Sequence, residues 1–278
     1  MKQYLSAKLD VVFKMLFGDK HNVDILGDFL LTVLDIPKSD VQKITVLNPF
    51  VGLDQPEEKK SVMDVKVELA GGRRVNVEIQ VRYVPDMVQR LHYYKAKMVT
   101  EQLSSGDPYT DIVPTSCVAV LDYRMYEDAY CHHAFRYYDK KRDVEFSGYE
   151  DIHILEIPKL EQDNSNPALV DWLRFLNAEK KEEFDMLAEK SEPMKKAVGV
   201  LAQLSADEKN RMIAEAREKE LRDQMSRERG AERRGVEKVA FNLLNTGMSI
   251  EDIAKVTMLD KSDIEALKNK QRTDNKGL

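Results

Sequence analysis

Residues Ser61–Arg82, SVMDVKVELAGGRRVNVEIQVR, alternate polar and apolar side chains on either side of a Gly-Gly pair, the pattern of a half-buried β-hairpin. In the first arm Met63, Val65 and Val67 share one face, and Asp64, Lys66 and Glu68 the other. In the second arm Val75, Val77, Ile79 and Val81 point one way and Asn76, Glu78, Gln80 and Arg82 the other, because successive side chains on a strand alternate. Each arm therefore has one apolar and one charged face. Opposed residues of an antiparallel pair lie on the same side of a sheet, so the register must set Asp64 against Glu78 or Gln80. A two-residue turn at Gly71-Gly72 would set Asp64 against Ile79 instead, so the pattern predicts a three-residue loop or a bulge. Asp64, Glu78 and Gln80 are then expected together, with Lys66 beside them. Two crowded carboxylates repel unless a cation lies between them, and hard oxygen ligands suit Mg²⁺ or Mn²⁺. A solvent-facing hairpin of mixed charge shows much the same alternation, so the pattern alone admits both readings.

Four stretches extend the argument: Asp10-Val-Val-Phe13-Lys14-Met-Leu-Phe17, Met63-Asp64-Val65-Lys66, Asn76-Val-Glu78-Ile-Gln80, and Gln89-Arg90-Leu-His-Tyr93-Tyr94. An Asp, a hairpin turn and Glu-x-(Lys or Gln), with a helix on each side, resemble the catalytic core of the PD-(D/E)XK nuclease superfamily. Within it the chain most resembles the bacterial recombination-promoting nuclease and transposase family, over about the first 125 residues. The resemblance implies an α/β fold, a restriction-endonuclease-like mixed β-sheet flanked by helices. It also implies a DNA endonuclease that hydrolyses phosphodiester bonds with Mg²⁺ (or Mn²⁺) and promotes DNA recombination. By the family pattern Asp64, Glu78 and the backbone carbonyl of Ile79 hold the metal, Gln80 orients water, and Asp10 completes the site. Two features depart from the superfamily: no Pro precedes Asp64, and Gln80 stands where a Lys is usual. Gln carries no charge, and Lys66 on the same face is the candidate to supply the missing cation.

Along the chain, Phe13, Leu16 and Phe17 form a helical stripe, with Asp10 and Lys14 one turn apart, a spacing that equally suits a surface ion pair. Asn22 reads as the N-cap of a second helix reaching about Asp35 and ended by Pro37. Val41–Leu47 reads as a strand, and Asn48–Lys60 as a charged loop. Pro85 and Asp86 mark a helix start, on which Arg90 either meets phosphate or is solvated. Thr115–Leu121 reads as a buried central strand, with Tyr130–Tyr138 and Ile152–Pro158 extending the sheet. His132, His133 and His153 suggest a metal, but neighbours on a strand point to opposite faces, which argues against a shared ion. Cys117 and Cys131 have no metal-ligand spacing and read as buried reduced thiols of a cytoplasmic protein. No apolar run approaches the roughly 20 residues of a membrane span.

Residues 161–192 read as helices packing on or beside a nuclease-like core of residues 1–160, and 193–278 as an all-helical, charged extension. Ala206–Lys238 alternates acid and base at helical spacing; Met212, Ile213, Leu221 and Met225 keep no heptad, which argues against a coiled coil. Two short capped helices after Thr246-Gly247, with N-caps Ser249 and Ser262, resemble a helix-turn-helix. Asp263 and Glu265 stand where a base reader would want Arg, Asn or Gln, so protein contact, including a homodimer through these helices, competes with DNA contact. The net charge of −6 argues against a protein that coats nucleic acid and is compatible with local DNA contacts. A rival reading therefore stays open, a catalytically silent module that keeps the fold to bind DNA or a protein partner.

Overall fold

The structure, a computed structural model, describes residues 3–48, 65–163 and 165–274. The chain divides into two compact units, Met1–Glu215 and Ala216–Leu278.

The first unit opens with α1 (Asp10–Phe17) and α2 (Val23–Val33). Asn22 sits at the N-cap of α2 as expected, but its amide donates to the carbonyl oxygen of Leu16 at 3.1 Å rather than capping α2. The strand expected over 41–47 shrinks to β1 (Thr45–Val46), preceded by a 3-10 turn over Lys38–Val41. The turn has another use, since the Asp40 carbonyl accepts the Ala70 N–H at 2.9 Å and pins the hairpin tip.

The hairpin itself is β2 (Val65–Glu68) and β3 (Arg74–Gln80). Its register pairs Val65 with Val77, Lys66 with Asn76 and Glu68 with Arg74, the parity required for the charged residues of both arms to share a face. Leu69 N–H donates to Arg73 at 2.9 Å and Gly72 N–H to Leu69 at 2.9 Å, which leaves Ala70-Gly71-Gly72 as the loop. Gly72 has φ +82°, the left-handed residue that a three-residue hairpin loop needs. Met63 and Asp64 lie outside the described residues, as does the expected charged loop from residue 49 onward.

From β3 the chain crosses over through α3 (Met87–Thr100) to β4 (Thr115–Leu121), which is buried throughout. Then come β5 (His132–Phe135), β6 (Tyr138–Asp139), β7 (Val144–Glu145) and β8 (Glu150–Glu156). The main sheet has six strands in the order β1-β2-β3-β4-β8-β5, while β6 and β7 pair separately. β3, β4 and β8 run parallel and their other neighbours antiparallel. A parallel β3–β4 pair requires a crossover, and α3 is that crossover. It lays Met87, Leu91, Tyr94 and Met98 over Cys117, Ala119, Leu121, Ile152 and Ile154. On the helical side of the unit, α1 meets β3, and rings from Phe13, Phe17, Phe29, Trp172 and Phe175 pack together.

Three more helices close this unit: α4 (Pro167–Asn177), α5 (Lys181–Ala188) and α6 (Glu192–Ala206). The helices expected over 161–192 are present, but the boundary expected at 193 is not where the chain divides. α6 buries Met194, Ala197, Val198 and Leu201 against α1, α2 and α5, and the division falls within α7 (Glu208–Asn245).

In the second unit α8 (Ile250–Thr257) is capped by Ser249, whose hydroxyl accepts the Asp252 N–H at 3.1 Å. It ends at Met258 with φ 58°, a left-handed C-terminal residue of the kind that stops helices, before α9 (Lys261–Asp274). Ala240, Ile253 and Ile264 form a small core. Arg233 of α7 pairs with Asp263 at 3.2 Å, so that acid serves packing between helices. No helix among the described residues is long and apolar enough to cross a membrane.

Candidate active site

The central position of β3 changes the meaning of its polar face. With β2 and β4 on its flanks and α3 above, the strand is buried on both sides over Val75–Ile79, so the second arm of the hairpin is covered on both faces, while β2 keeps the alternation expected of a half-buried strand. Glu78 and Asn76 are both 0 % exposed. A buried carboxylate persists only when it is paired and hydrogen-bonded, and Glu78 is both. Asn76 Nδ2 donates to Oε1 at 3.1 Å, and Arg90 Nε donates to Oε2 at 3.4 Å. Arg90, expected to be either phosphate-facing or solvated, is thus the counter-ion of Glu78, with its guanidinium 5.0 Å from the Tyr94 ring centre. Its side chain stays 35 % exposed, so it separates Glu78 from solvent. The effect reaches Cys117, the β4 neighbour of Asn76: burial pushes its thiol pKa up and the charge of Glu78 adds to the rise.

The other expected site residues distribute as follows. Gln80 ends β3, and its carbonyl accepts the Asp122 N–H at 2.9 Å. Asp122 Oδ2 in turn meets Lys8 Nζ at 2.7 Å, which brings the start of α1 to the carboxyl ends of β3 and β4. Asp10 is half-buried at the first position of α1, where its Oδ1 accepts the Val11 N–H at 3.0 Å. Lys66 shares the face of Asn76, but its ammonium is bonded to Glu101 at 2.5 Å; that hydrogen bond holds the Glu101 carboxyl below its usual range. Asp64 lies outside the described residues. Among the described residues no group of three or more His, Cys, Asp or Glu is placed to hold a metal ion. The oxygen chemistry nevertheless fits a hard cation: Glu78 offers a carboxylate, and Asn76 Oδ1 is a buried acceptor with no hydrogen-bond partner among the described residues.

The histidines behave as strand alternation requires. His132 Nε2 meets His153 Nδ1 at 2.9 Å with the rings stacked, whereas His133 Nε2 turns to Asp128 at 2.9 Å on the opposite face. Burial beside His153 drives the His132 pKa down to about 4. Cys117 and Cys131 are free and buried, and burial pushes Cys131 up to about 12. Sequence reasoning missed two buried networks. Lys159, fully buried, bonds Glu156 at 2.8 Å and Asp128 at 3.1 Å. Lys95, only 5 % exposed, bonds Tyr137 at 3.0 Å and Glu150 at 3.0 Å. The available signal was a lysine at an apolar stripe position of a helix or beside a strand end.

No curated protein and no solved structure gives a significant match to the chain. The family model described as PD-(D/E)XK nuclease family transposase matches residues 7–231, spanning α1, the hairpin, the crossover helix and the whole sheet. The chain therefore belongs to the PD-(D/E)XK nuclease family transposases, a family of nuclease and transposase type.

Proposed function

We propose that the chain is a divalent-metal-dependent endonuclease that hydrolyses phosphodiester bonds in DNA and promotes recombination in the manner of a transposase. The observation that carries this reading is Glu78, a carboxylate withdrawn from water inside the central strand β3 and paired with Arg90, in a chain of a nuclease family. A structural acid would be cheaper as an apolar residue. A carboxylate kept there at that expense suits an ion-binding role.

In this reading Asp64, Glu78 and the Ile79 carbonyl are the oxygen donors, and Mg²⁺ or Mn²⁺ the fitting ions. A bound ion of this kind supplies an activated water and offsets charge on the phosphoryl oxygens. Asn76 holds the Glu78 carboxylate in orientation through its amide. Arg90 balances the same carboxylate when no cation does. Gln80, at the strand end, orients the attacking water through its amide group, a role that needs hydrogen bonds and no charge. Asp10 completes the acidic lining from α1. Lys66 contributes its charge from a position anchored on Glu101.

The test is plasmid nicking with Mg²⁺ by the parent, Asp64→Asn and Glu78→Gln, with folding checked by circular dichroism. Both variants are expected to fold and to lose nicking; cleavage at the parental rate by both would remove the assignment. One observation favours the rival reading of a silent module binding DNA or protein: Glu78 is already balanced by Arg90 and wholly buried. Calorimetric titration of Mn²⁺ separates the two, since a silent module shows no binding that depends on Asp64 or Glu78.

A further inference from the structure

We propose that the cavity between α3 and the β8–β5 side of the sheet takes a single unpaired nucleobase of the DNA strand; this rests on the nuclease reading above. The cavity has a volume of about 220 Å³, below the roughly 300 Å³ at which pockets begin to suit drug-sized ligands, so it admits one ring system. Its walls are Leu91 and Lys95 of α3, Phe135 at the end of β5, Tyr137 just after it, and Ile154 of β8, with Tyr126 over one end. Aromatic faces of this kind stack any base, because every base has a π face. The Tyr126 wall is fixed in advance, since the buried Glu156 carboxylate accepts the backbone N–H groups of Met125 and Tyr126 at 2.5 and 3.1 Å.

The polar groups select a neutral ligand. Lys95 donates to Tyr137 Oη at 3.0 Å and meets Glu150 Oε2 at 3.0 Å, and an ammonium has three N–H groups, so one remains for an acceptor in the cavity. Burial pulls the Lys95 pKa down, but the bonds to Tyr137 and Glu150 more than offset it, and the group stays charged. Glu150 answers that charge, and Glu145 lies 3.9 Å from Arg136. A phosphate would enter a cavity whose cations are already matched, whereas a base brings ring nitrogen and carbonyl acceptors with no charge.

The position suits a strand that also reaches the candidate active site. Glu78 is level with Ala119, and Ala119 with Ile154. The cavity floor therefore lies two strands from Glu78 on the same sheet face, or about 10 Å at the usual strand spacing. The same helix supplies both, with Arg90 on Glu78 and Leu91 and Lys95 in the cavity. A base in this cavity must have left its partner, so the substrate is single-stranded or locally unpaired DNA.

The experiment is fluorescence anisotropy of a labelled single-stranded oligonucleotide and of the duplex of the same sequence, with the full chain, the metal ion being replaced by EDTA. Val88→Trp fills the cavity from a residue 43 % exposed, and Lys95→Met removes the donor; thermal unfolding reports whether each folds. The parent is expected to prefer the single strand. Both variants should lose about tenfold in single-strand affinity, keep duplex affinity, and keep any Mg²⁺-induced rise in Tm. Unchanged single-strand affinity in folded variants, or equal parental affinity for duplex and single strand, overturns the proposal. So does a deoxynucleoside monophosphate competing as well as the oligonucleotide, which would mark a free-nucleotide pocket. If the base pocket fails while a Glu78-dependent metal response remains, the nuclease reading stands without it; loss of both removes both.

Discussion

Glu78→Gln tests the metal reading without an activity assay. The carboxamide keeps nearly the same volume and an acceptor for Asn76 Nδ2, but it carries no charge to hold a cation. Without metal the variant loses a buried charge whose partner, Arg90, is 35 % exposed and can hydrate, so its stability should match the parent within about 1–2 kcal/mol or exceed it. With metal the two should part. An ion at a hundredfold excess over its Kd stabilises the folded state by about 2.7 kcal/mol. For a unit of this size, Met1–Glu215, each kcal/mol shifts Tm by roughly 2–4 °C, so saturating Mg²⁺ should raise the parental Tm by roughly 5–11 °C and leave Glu78→Gln unmoved. Arg90→Ala gives the opposite sign. Removing the counter-ion takes one cation away from a buried carboxylate, at up to about 3–5 kcal/mol, and a bound cation restores balance, so Mg²⁺ should stabilise Arg90→Ala more than the parent. Thermal unfolding across an Mg²⁺ and Mn²⁺ titration measures all three. An equal rise in the parent and Glu78→Gln would show that any bound ion sits elsewhere and refute the reasoning.

Three further outcomes follow from named contacts. His132 is held neutral in the folded state, with its pKa lowered from 6.5 to about 4; between these values the unfolded chain binds a proton that the folded chain does not, so stability is fully present above pH 6.5 and falls as pH drops toward 4, by up to about 2–3 kcal/mol. His132→Asn should flatten that part of the urea-unfolding profile, and an unchanged slope would assign it to other groups. A chain ending at Glu215 should unfold cooperatively near the parental Tm. One ending at Glu192 loses Met194, Val198 and Leu201 from the core, roughly 5–9 kcal/mol of burial, and should show no cooperative transition by calorimetry; two equally stable fragments would return the boundary to 193. Gln80→Ala should keep the metal-induced rise in Tm and lower the single-turnover nicking rate by roughly 10²-fold, and a parental rate would remove Gln80 from the chemistry.

Local pattern carried much of this fold. β4 runs over Thr115–Leu121 as its apolar run predicts, α3 begins after Asp86, and the hairpin closes through three residues because only that parity brings the charged residues of both arms to one face. What the sequence did not show is what covers each face, since that depends on a crossover joining residues far apart in the chain. Arg90 looked solvated because nothing near it in sequence shows that α3 lies over β3. α6 carries Met194, Ala197, Val198 and Leu201 at helical spacing, yet the charged stretch behind it masked its place in the core. The same gap in local reasoning is informative at Glu78. Alternation assigns it to a polar, outward face, whereas the strand order makes β3 interior and buries it completely. Sequences that fold well agree across levels, and disagreements that persist collect where function demands them. Arg73 and Lys159 also pair with buried acids, but those acids sit at strand ends. Glu78 lies inside a central strand, where an apolar residue would serve folding better, and that is the physical reason to place the chemistry there.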